Sequence, residues 1–297
     1  MKDEPAIRQR MPHLMLLPPL SFILHPSDRP FPLRCRVAII VNAVDRVRRT
    51  CAAALAQELG VPVIDTLEHA VTSADLLLVV GERRLELQES GVRSARPVFV
   101  DFTGGRAGRS RRSPPSRRQP IALALGLRHG PITVVDATAG LGRDSFLLAT
   151  LGCTVIAVER CAVLGALLRD ALARAAAAGS TSPNKVLARV SLVIDDSRRA
   201  LSRMVGEAAP DAVYLDPMYP PRRKAALPKK ELRICRRLVG DDEDAGELLA
   251  IARQVARRRV VVKRHPHAPP LAPDPALQFA GKMTRYDVYL SPRQGGA

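Results

Sequence analysis

Cysteines and long apolar runs are scarce in this sequence. The five cysteines form no Cys-x-x-Cys pair and show no spacing with histidine that suits zinc, so neither a metal site nor a disulfide framework is indicated. No stretch approaches the ~20 apolar residues that a membrane span needs. We therefore expect a protein without a metal and without membrane attachment, in the reducing cytoplasm.

Acidic residues are scarce too. The 297 residues include 29 Asp and Glu against 46 Lys and Arg, which gives a formal net charge of +17. Such an excess of cations favours a polyanionic partner such as a nucleic acid. A basic surface that is merely solvated would have the same composition, so the charge alone does not identify the partner.

Changes in composition indicate four segments along the chain. They are a proline-rich leader expected to be poorly ordered (1–34), a small mixed α/β domain (35–105), a basic linker (106–120) and a larger domain (121–297). In the small domain, apolar runs and helical spacing predict a helix at 47–59 and strands at 37–41, 61–64, 76–80 and 97–102.

The larger domain alternates strands with helices. We predict helices at 121–127, 143–151 and 162–178, and strands at 133–135, 154–158, 190–194, 212–215, 259–263 and 285–290. This alternation predicts an α/β fold with a doubly wound, mostly parallel sheet. Such sheets bind nucleosides at the carboxyl edge of their strands.

Two glycines follow the first predicted strand of the larger domain, in the string Asp136-Ala137-Thr138-Ala139-Gly140-Leu141-Gly142. Gly140 and Gly142 let the backbone approach a ligand closely. Glu159 ends the next strand, where a carboxylate can accept hydrogen bonds from both ribose hydroxyls. A tight structural turn would use the same glycines.

The loop favours adenosylmethionine over a dinucleotide. A pyrophosphate-binding loop has a third glycine where this sequence has Ser145. Adenosylmethionine has no phosphate and carries a cationic sulfonium, which Asp136 and Asp144 would stabilise. The third strand ends in Asp195-Asp196-Ser197, placed to meet the adenine edge, although a strand-end aspartate can also only cap a turn.

The segment after the fourth strand, Asp216-Pro217-Met218-Tyr219-Pro220, holds the candidate catalytic residues. It resembles the Asp/Asn-Pro-Pro-aromatic motif of amino-group methyltransferases. An exocyclic amino nitrogen is a poor nucleophile because its lone pair is delocalised, so acceptors must hold its two N–H groups. We expect Asp216 and the carbonyl of Pro217 to do this while Tyr219 stacks on the base. An Asp-Pro turn can also be purely structural.

Several strings together resemble one family. They are DATAGLGRD, YLDPMYP, the run from Arg222 to Glu231, and RVVVKR at 259–264. They are similar to the RsmJ family, ribosomal small subunit methyltransferase J, which methylates N2 of guanine 1516 in 16S rRNA. The resemblance implies a class I methyltransferase fold, S-adenosyl-L-methionine as cofactor, and 16S rRNA or the small ribosomal subunit as partner. It also implies cofactor contacts at Arg143, Asp144, Glu159, Arg160, Asp196, Ser197 and Asp216.

Two basic clusters are candidates for RNA contact. They are Arg111, Arg112, Arg117 and Arg118 in the linker, and Arg222, Arg223, Lys224, Lys229 and Lys230 after the catalytic segment. We expect both clusters to flank the entrance of the active site and to neutralise phosphates. The linker cations could instead form a solvated connector.

Other functions fit parts of the pattern. An amino methyltransferase that acts on adenine N6 or on a glutamine side chain would share the Asp-Pro-aromatic chemistry. A non-catalytic RNA-binding protein could keep a degenerate nucleotide fold. A dinucleotide-dependent oxidoreductase is disfavoured because the third glycine is missing. Our hypothesis is methylation of guanine N2 in 16S rRNA.

Overall fold

The protein contains two β-sheets and the helices that cover them. The computed structural model describes residues 32–41, 46–64, 73–91, 96–102, 115–178, 182–218 and 230–292. The strands are β1 (Val37–Val41), β2 (Val63–Ile64), β3 (Leu76–Val80), β4 (Leu85–Glu89), β5 (Thr133–Asp136), β6 (Thr154–Glu159), β7 (Val190–Ile194), β8 (Ala212–Leu215), β9 (Arg259–Arg264), β10 (Leu277–Ala280) and β11 (Arg285–Leu290). The helices are α1 (Arg46–Leu59), α2 (Pro120–Leu125), α3 (Arg143–Thr150), α4 (Ala162–Ala177), α5 (Ser182–Leu187), α6 (Ser197–Ser202), α7 (Lys230–Val239) and α8 (Ala245–Val255).

The larger sheet has the strand order β10-β11-β9-β8-β5-β6-β7. The five strands from β9 to β7 are parallel, and β11 and β10 add an antiparallel edge. From β5 the chain proceeds to β6 and β7 on one side, then returns to β8 and β9 on the other. This reversal opens a crevice at the carboxyl ends of β5 and β8, where open α/β sheets bind their ligands.

Apolar side chains cover both faces of the larger sheet. Val134 and Tyr214 pack with α2 and α3 on one face, and Val135 and Val213 pack with α6 and α8 on the other. Because β5 and β8 are buried on both faces, they are continuous apolar runs instead of alternating ones. The doubly wound, mostly parallel sheet predicted from the sequence is confirmed.

The smaller sheet has the order β2-β1-β3-β4, with β4 antiparallel and the other strands parallel. Its apolar face packs on α4 of the larger unit. Ile39, Leu78 and Leu87 share one buried cluster with Leu164 and Leu168 of that helix. One helix therefore joins the two sheets, and the domain boundaries given above stay predictions.

A buried ion pair on α4 reinforces this junction. Asp170 is 4% exposed and accepts the backbone N–H of Leu85 at 3.2 Å. Arg174 donates to Asp170 at 2.8 Å and to the carbonyl of Val100 at 2.6 Å. The helix that supports the larger sheet thus also holds β4 and the segment 96–102.

Four elements differ from the sequence-based expectation. The strand predicted at 97–102 is wrong, because only Val98 pairs there, in a single antiparallel bridge with Leu87. Strands β4 and β10 were not predicted. The helix predicted to reach residue 127 ends at Leu125 because Gly126 adopts φ 70° and caps it.

Candidate active site

An open pocket lies at the carboxyl edge of the larger sheet. The loops after β5, β6, β7 and β8 form its wall together with residues of α7, α8 and the turn between them. Six predicted cofactor residues line it, namely Gly140, Glu159, Arg160, Asp196, Ser197 and Asp216. The other four, Asp136, Gly142, Arg143 and Asp144, are not part of its wall.

The loop after β5 turns sharply because both of its glycines have positive φ. Gly140 has φ 53° and Gly142 has φ 71°, conformations that strain any residue with a Cβ. Gly142 also precedes α3 directly, and a Cβ there would lie 2.6 Å from Cδ1 of Leu168 and 3.2 Å from Cζ of Phe102. Glycine is therefore needed for both the turn and its close packing on α4.

Asp136 ends β5 but points into the loop. Its side chain is 1% exposed, and Ser145 Oγ donates to Oδ2 at 2.5 Å while the N–H of Thr138 donates to Oδ1 at 3.3 Å. Burial raises its pKa to about 7. The structure corrects the role expected for Asp136, because these contacts stabilise the loop and leave the cavity to other acids. Ser145, which replaces the third glycine, is its partner.

Glu159 ends β6 and connects the cavity wall to two backbone amides. The N–H of Gly140 donates to Oε2 at 2.6 Å and the N–H of Cys161 donates to Oε1 at 2.7 Å. Burial raises the pKa of Glu159 to about 7, against the lowering effect of these hydrogen bonds. A carboxylate offers about four lone-pair positions, so Glu159 keeps acceptor capacity for a ligand hydroxyl.

Asp196 serves as a helix cap and lines the cavity at once. It is the N-cap of α6 and accepts the N–H of Arg198 at 2.9 Å, while the Arg198 guanidinium donates to both of its carboxylate oxygens. Burial acts to raise its pKa, but the hydrogen bonds from Arg198 hold the pKa below its usual value. Beside it, Ser197 Oγ donates to the carbonyl of Ala137 at 2.6 Å, which links the β7 end to the glycine loop.

Asp242 and Asp244 are cavity residues that the sequence analysis missed. Arg160, next to Glu159, forms ion pairs with both. Asp242 in turn accepts the N–H of Met218 at 2.6 Å and donates its own N–H to the Met218 carbonyl at 2.9 Å. The turn between α7 and α8 thereby clamps the segment after β8. The sequence did contain a signal for these two residues, because residues 241–244 are all acidic in a chain with few acidic residues.

Asp216 lies at the carboxyl end of β8 and faces the cavity. Its backbone N–H donates to Thr138 Oγ1 at 2.6 Å, which ties β8 to the glycine loop. Lys263 of β9 donates to Asp216 Oδ2 and to Asp144 Oδ2, each at 2.7 Å. Burial raises the pKa of Asp216, and the Lys263 ammonium opposes that rise. Sequence reasoning missed Lys263, although a lysine directly after the apolar run 260–262 was visible.

Several known proteins are similar to this chain in sequence and in fold. The profile of the SAM-dependent methyltransferase family SAM_MT matches residues 64–291. Proteins named Ribosomal RNA small subunit methyltransferase J are similar over most of their length. The one from Thioalkalivibrio sulfidiphilus is 45% identical over 82% of this chain and 94% of its own, and the one from Pseudomonas fluorescens is 44% identical over 87% and 96%. The crystal structure of a SAM-dependent methyltransferase from Neisseria gonorrhoeae is 34% identical, with TM-score 0.63, over 88% of this chain and 97% of that one.

The chain belongs to the methyltransferase J family. This membership confirms the class I fold and S-adenosyl-L-methionine as the cofactor. The residues of the cavity fit that cofactor. Gly140 allows close approach of the backbone, Glu159 retains acceptor positions, and the acids Asp196, Asp216 and Asp242 make the wall suitable for a cationic ligand.

The remaining predicted site residues of this methyltransferase are Arg143, Asp144, Pro217 and Tyr219. Arg143 begins α3 and pairs with Glu231 of α7. Asp144, the next residue, faces Lys263. Pro217 is buried after Asp216, and Tyr219 lies outside the described residues.

Only Arg117, Arg118 and Lys230 of the two predicted basic clusters of the methyltransferase belong to the described residues. Arg111, Arg112, Arg222, Arg223, Lys224 and Lys229 lie outside the described residues. The guanidinium of Arg117 lies beside Gly152 and 3.5 Å from the carbonyl of Leu127. Both neighbours precede parallel strands, so Arg117 lies at the amino edge of the sheet, opposite the cavity. The expectation that Arg117 flanks the entrance is wrong. Exposed Arg118 adjoins it, whereas Lys230 begins α7 on the cavity side.

In the described part of this methyltransferase, no group of three or more His, Cys, Asp or Glu side chains could hold a metal ion. No helix in the described ranges has both the length and the apolar character needed to cross a membrane. All five cysteines are free.

Proposed function

We propose that this enzyme transfers a methyl group from adenosylmethionine to the exocyclic N2 of a guanine in 16S rRNA, at a site of the guanine 1516 type. The observation that carries the proposal is the position of Asp216-Pro217 at the end of buried β8, with Asp216 facing the cavity. Relatives that are 44–45% identical are named Ribosomal RNA small subunit methyltransferase J, which supports small-subunit rRNA as the substrate.

The chemistry of an amino group accounts for the residues at the β8 end. Guanine N2 carries two hydrogens, and its lone pair is conjugated with the ring, so reaction requires both hydrogens to be held and the lone pair to face the methyl donor. Asp216 Oδ1 and the carbonyl of Pro217 are the two acceptors. The base must leave its stack to reach them, which costs a few kcal/mol.

The lining of the cavity supports particular cofactor contacts in this proposal. Glu159 accepts hydrogen bonds from the ribose hydroxyls, and Asp196 with Ser197 meets the adenine edge. Gly140 and Arg160 bound the same cavity. Adenosylmethionine supplies the methyl group as an electrophile, and the chain itself orients the acceptor nitrogen.

A basic surface on the cavity side is the candidate docking site for RNA. We define the α7 surface as Arg143, Lys230, Arg233 and Arg237. Arg143, Arg233 and Arg237 have side chains that are 63%, 51% and 46% exposed. Lys230, Arg233 and Arg237 share the acid Glu89, Arg237 also pairs with Asp75, and Arg143 pairs with Glu231. Four cations therefore face three acids, which leaves the surface with a net positive charge. Val239, at the end of the same helix, lines the cavity. RNA phosphates on this surface would lie close to the cofactor.

The decisive test is mass mapping of methylated nucleosides in 16S rRNA from cells with and without this protein. We expect one N2-methylguanosine to disappear and to return with the wild-type gene but not with Asp216→Ala. Unchanged guanine methylation would contradict the proposal.

The same material separates the other functions. Loss of N6-methyladenine in DNA or of a methylated glutamine in protein would identify an amino methyltransferase with a different acceptor. If Asp216→Ala restores the missing modification as well as wild type does, and the protein binds RNA, then it is a non-catalytic RNA-binding protein.

A further inference from the structure

Lys263 lies at the centre of a polar network beside the cavity. Its Nζ is 2.7 Å from Oδ2 of Asp216 and 2.7 Å from Oδ2 of Asp144. The hydroxyl of Tyr214, a fully buried residue, donates to the same Asp144 oxygen at 2.6 Å. The Lys263 side chain is only 23% exposed. One ammonium therefore connects β8, β9 and α3 at the carboxyl edge of the sheet.

Stabilisation of the fold does not by itself explain this network. Burying a cation with two carboxylates has a desolvation cost that apolar side chains of similar size would avoid. Packing also does not explain the difference between the two carboxylate oxygens of Asp216. Asp216 Oδ2 is bound to Lys263, whereas Oδ1 accepts no hydrogen bond from the described residues and belongs to a residue that lines the cavity.

We propose that Lys263 is a positioning residue, which holds Asp216 by Oδ2 so that ionised Oδ1 is presented to the amino group of the substrate. This inference rests on the proposed function in one respect, namely that the methyl acceptor is an amino nitrogen. Lys263 itself touches neither the base nor the methyl group in this scheme, and it acts through Asp216.

The scheme balances without a further reactant. The lone pair of the amino nitrogen forms the new N–C bond, and the electron pair of the broken C–S bond stays on sulfur, which becomes a neutral thioether. The nitrogen then has one hydrogen too many and a positive charge. That proton passes to Asp216 Oδ1 and from there to water. Asp216 must therefore be ionised before the step, and the ammonium of Lys263 favours that state.

Two charged groups near Asp216 oppose its ionisation, namely Asp144 on α3 and Asp242 in the turn before α8. Asp136 on β5, Tyr214 on β8 and Tyr286 on β11 also lie near it, and the charge of Asp216 raises the pKa of each. Burial raises the pKa of Asp216 and neighbouring carboxylates add to this rise, while Lys263 lowers it. Burial also acts to lower the pKa of Lys263, but the two aspartates raise it above its usual value, so the lysine stays charged.

The first experiment compares methyl transfer by wild type, Lys263→Met, Lys263→Arg and a matched control, Lys185→Met, which changes an exposed lysine of α5. For Lys263→Met we expect kcat at neutral pH to fall about 100-fold, with cofactor Kd changed less than about threefold. The acid limb of its kcat profile moves to higher pH. Lys263→Arg keeps the charge and recovers kcat to within about tenfold of wild type. Lys263→Gln replaces Lys263→Met if the latter does not melt cooperatively.

A second experiment needs no methyl acceptor. Carboxyl ¹³C NMR of the cofactor-free protein follows the titration of Asp216, assigned by its loss in Asp216→Asn. The midpoint should rise by about 1–3 pH units in Lys263→Met or Lys263→Gln and stay near the wild-type value in Lys263→Arg. An unchanged midpoint, or an unchanged kcat profile, overturns the proposal. If wild type fails to methylate small-subunit RNA, the proposed function fails while this titration still decides the role of Lys263.

Discussion

The backbone and the side chain of Asp216 have separate tasks. The backbone N–H binds Thr138 and joins β8 to the glycine loop, whereas the carboxylate is 39% exposed at the cavity. Asp216→Ala should therefore keep the fold and the cofactor affinity but reduce kcat by about 100-fold or more. Melting temperature and calorimetric binding check the first two, and single-turnover methyl transfer checks the third. A variant that retains more than about a tenth of the rate, under ~1.4 kcal/mol of barrier, would contradict this role.

Glu159 lines the cavity and also binds the loop through two backbone amides. Glu159→Ala should weaken adenosylmethionine binding by about 10- to 100-fold, because charge-assisted hydrogen bonds contribute roughly 1.5–3 kcal/mol. RNA affinity should hardly change, because the residue lies inside the cavity. Calorimetry with cofactor and filter binding with RNA separate the two. The control is Glu207→Ala, an exposed acid outside the site. Equal losses in both assays would mean that Glu159 acts only through the fold.

Two buried carboxyl groups should make the ligand-free protein less stable as pH rises. Asp136 and Glu159 have ordinary pKa values of 3.8 and 4.5, and burial raises both to about 7 in the folded chain. The folded state then holds protons that the unfolded state has already released, so stability decreases between about pH 4 and pH 7. Asp136→Asn should show a shallower decrease in melting temperature from pH 5 to 7.5 than wild type or the control Glu207→Gln. Parallel curves for all three proteins would refute the shift at Asp136.

At the scale of elements, the buried strands of the larger sheet were predictable because their apolar runs are continuous. The predicted bounds of β7, β8 and β11 agree with the structure. Strand β10 was missed because it has only four residues and is mostly exposed at the sheet edge. The segment 97–102 looks like a strand, but its partner Leu87 pairs with it at one residue only. Pairing is a tertiary property that an apolar run cannot specify.

The site residues that could be predicted from the sequence are those that directly follow a predicted strand. The glycine loop, Glu159, Asp196 and Asp216 all follow apolar strands, and the structure brings them to one cavity. Asp242 and Lys263 were missed because their partners are distant in the sequence. Asp242 contacts Met218, and Lys263 contacts Asp216. Asp136 was placed at the right strand end, but its burial depends on the position of Ser145 in three dimensions.

The contact between the glycine loop and α4 gives an element-scale prediction. Gly142→Ala adds a Cβ at φ 71°, 2.6 Å from Leu168, and should cost about 2–5 kcal/mol of stability from backbone strain and overlap together. The matched control is Gly60→Ala, which has φ 64° and nothing within 4 Å of the new Cβ. It should lose only the backbone part, about 1–2 kcal/mol. Denaturant unfolding measures both, and equal losses would show that the packing on α4 is unimportant. Cofactor affinity should fall in Gly142→Ala alone.

At the scale of the whole molecule, charge and fold together favour the α7 surface as the proposed docking face for RNA. The net charge of +17 attracts a polyanion from any direction, but only contacts near the cavity can bring a base to Asp216. The α7 surface satisfies that condition, since the same helix contributes Val239 to the cavity. Arg117 does not, because its guanidinium lies at the opposite edge of the sheet beside Gly152.

Salt dependence can tell these two edges apart. The basic triplet Arg222, Arg223 and Lys224 precedes α7 in the sequence, and its replacement by alanine should flatten the log–log salt dependence of RNA affinity by about two to three units, at −0.7 to −0.9 per phosphate contact. The matched triple variant changes Arg117, Arg118 and Arg128, all exposed and in or next to the amino-edge turns. It removes the same charge and should leave the slope within about half a unit of wild type. Cofactor affinity should be unchanged in both. Equal flattening would show that RNA responds to net charge alone, and no flattening in the first variant would place the RNA on another face.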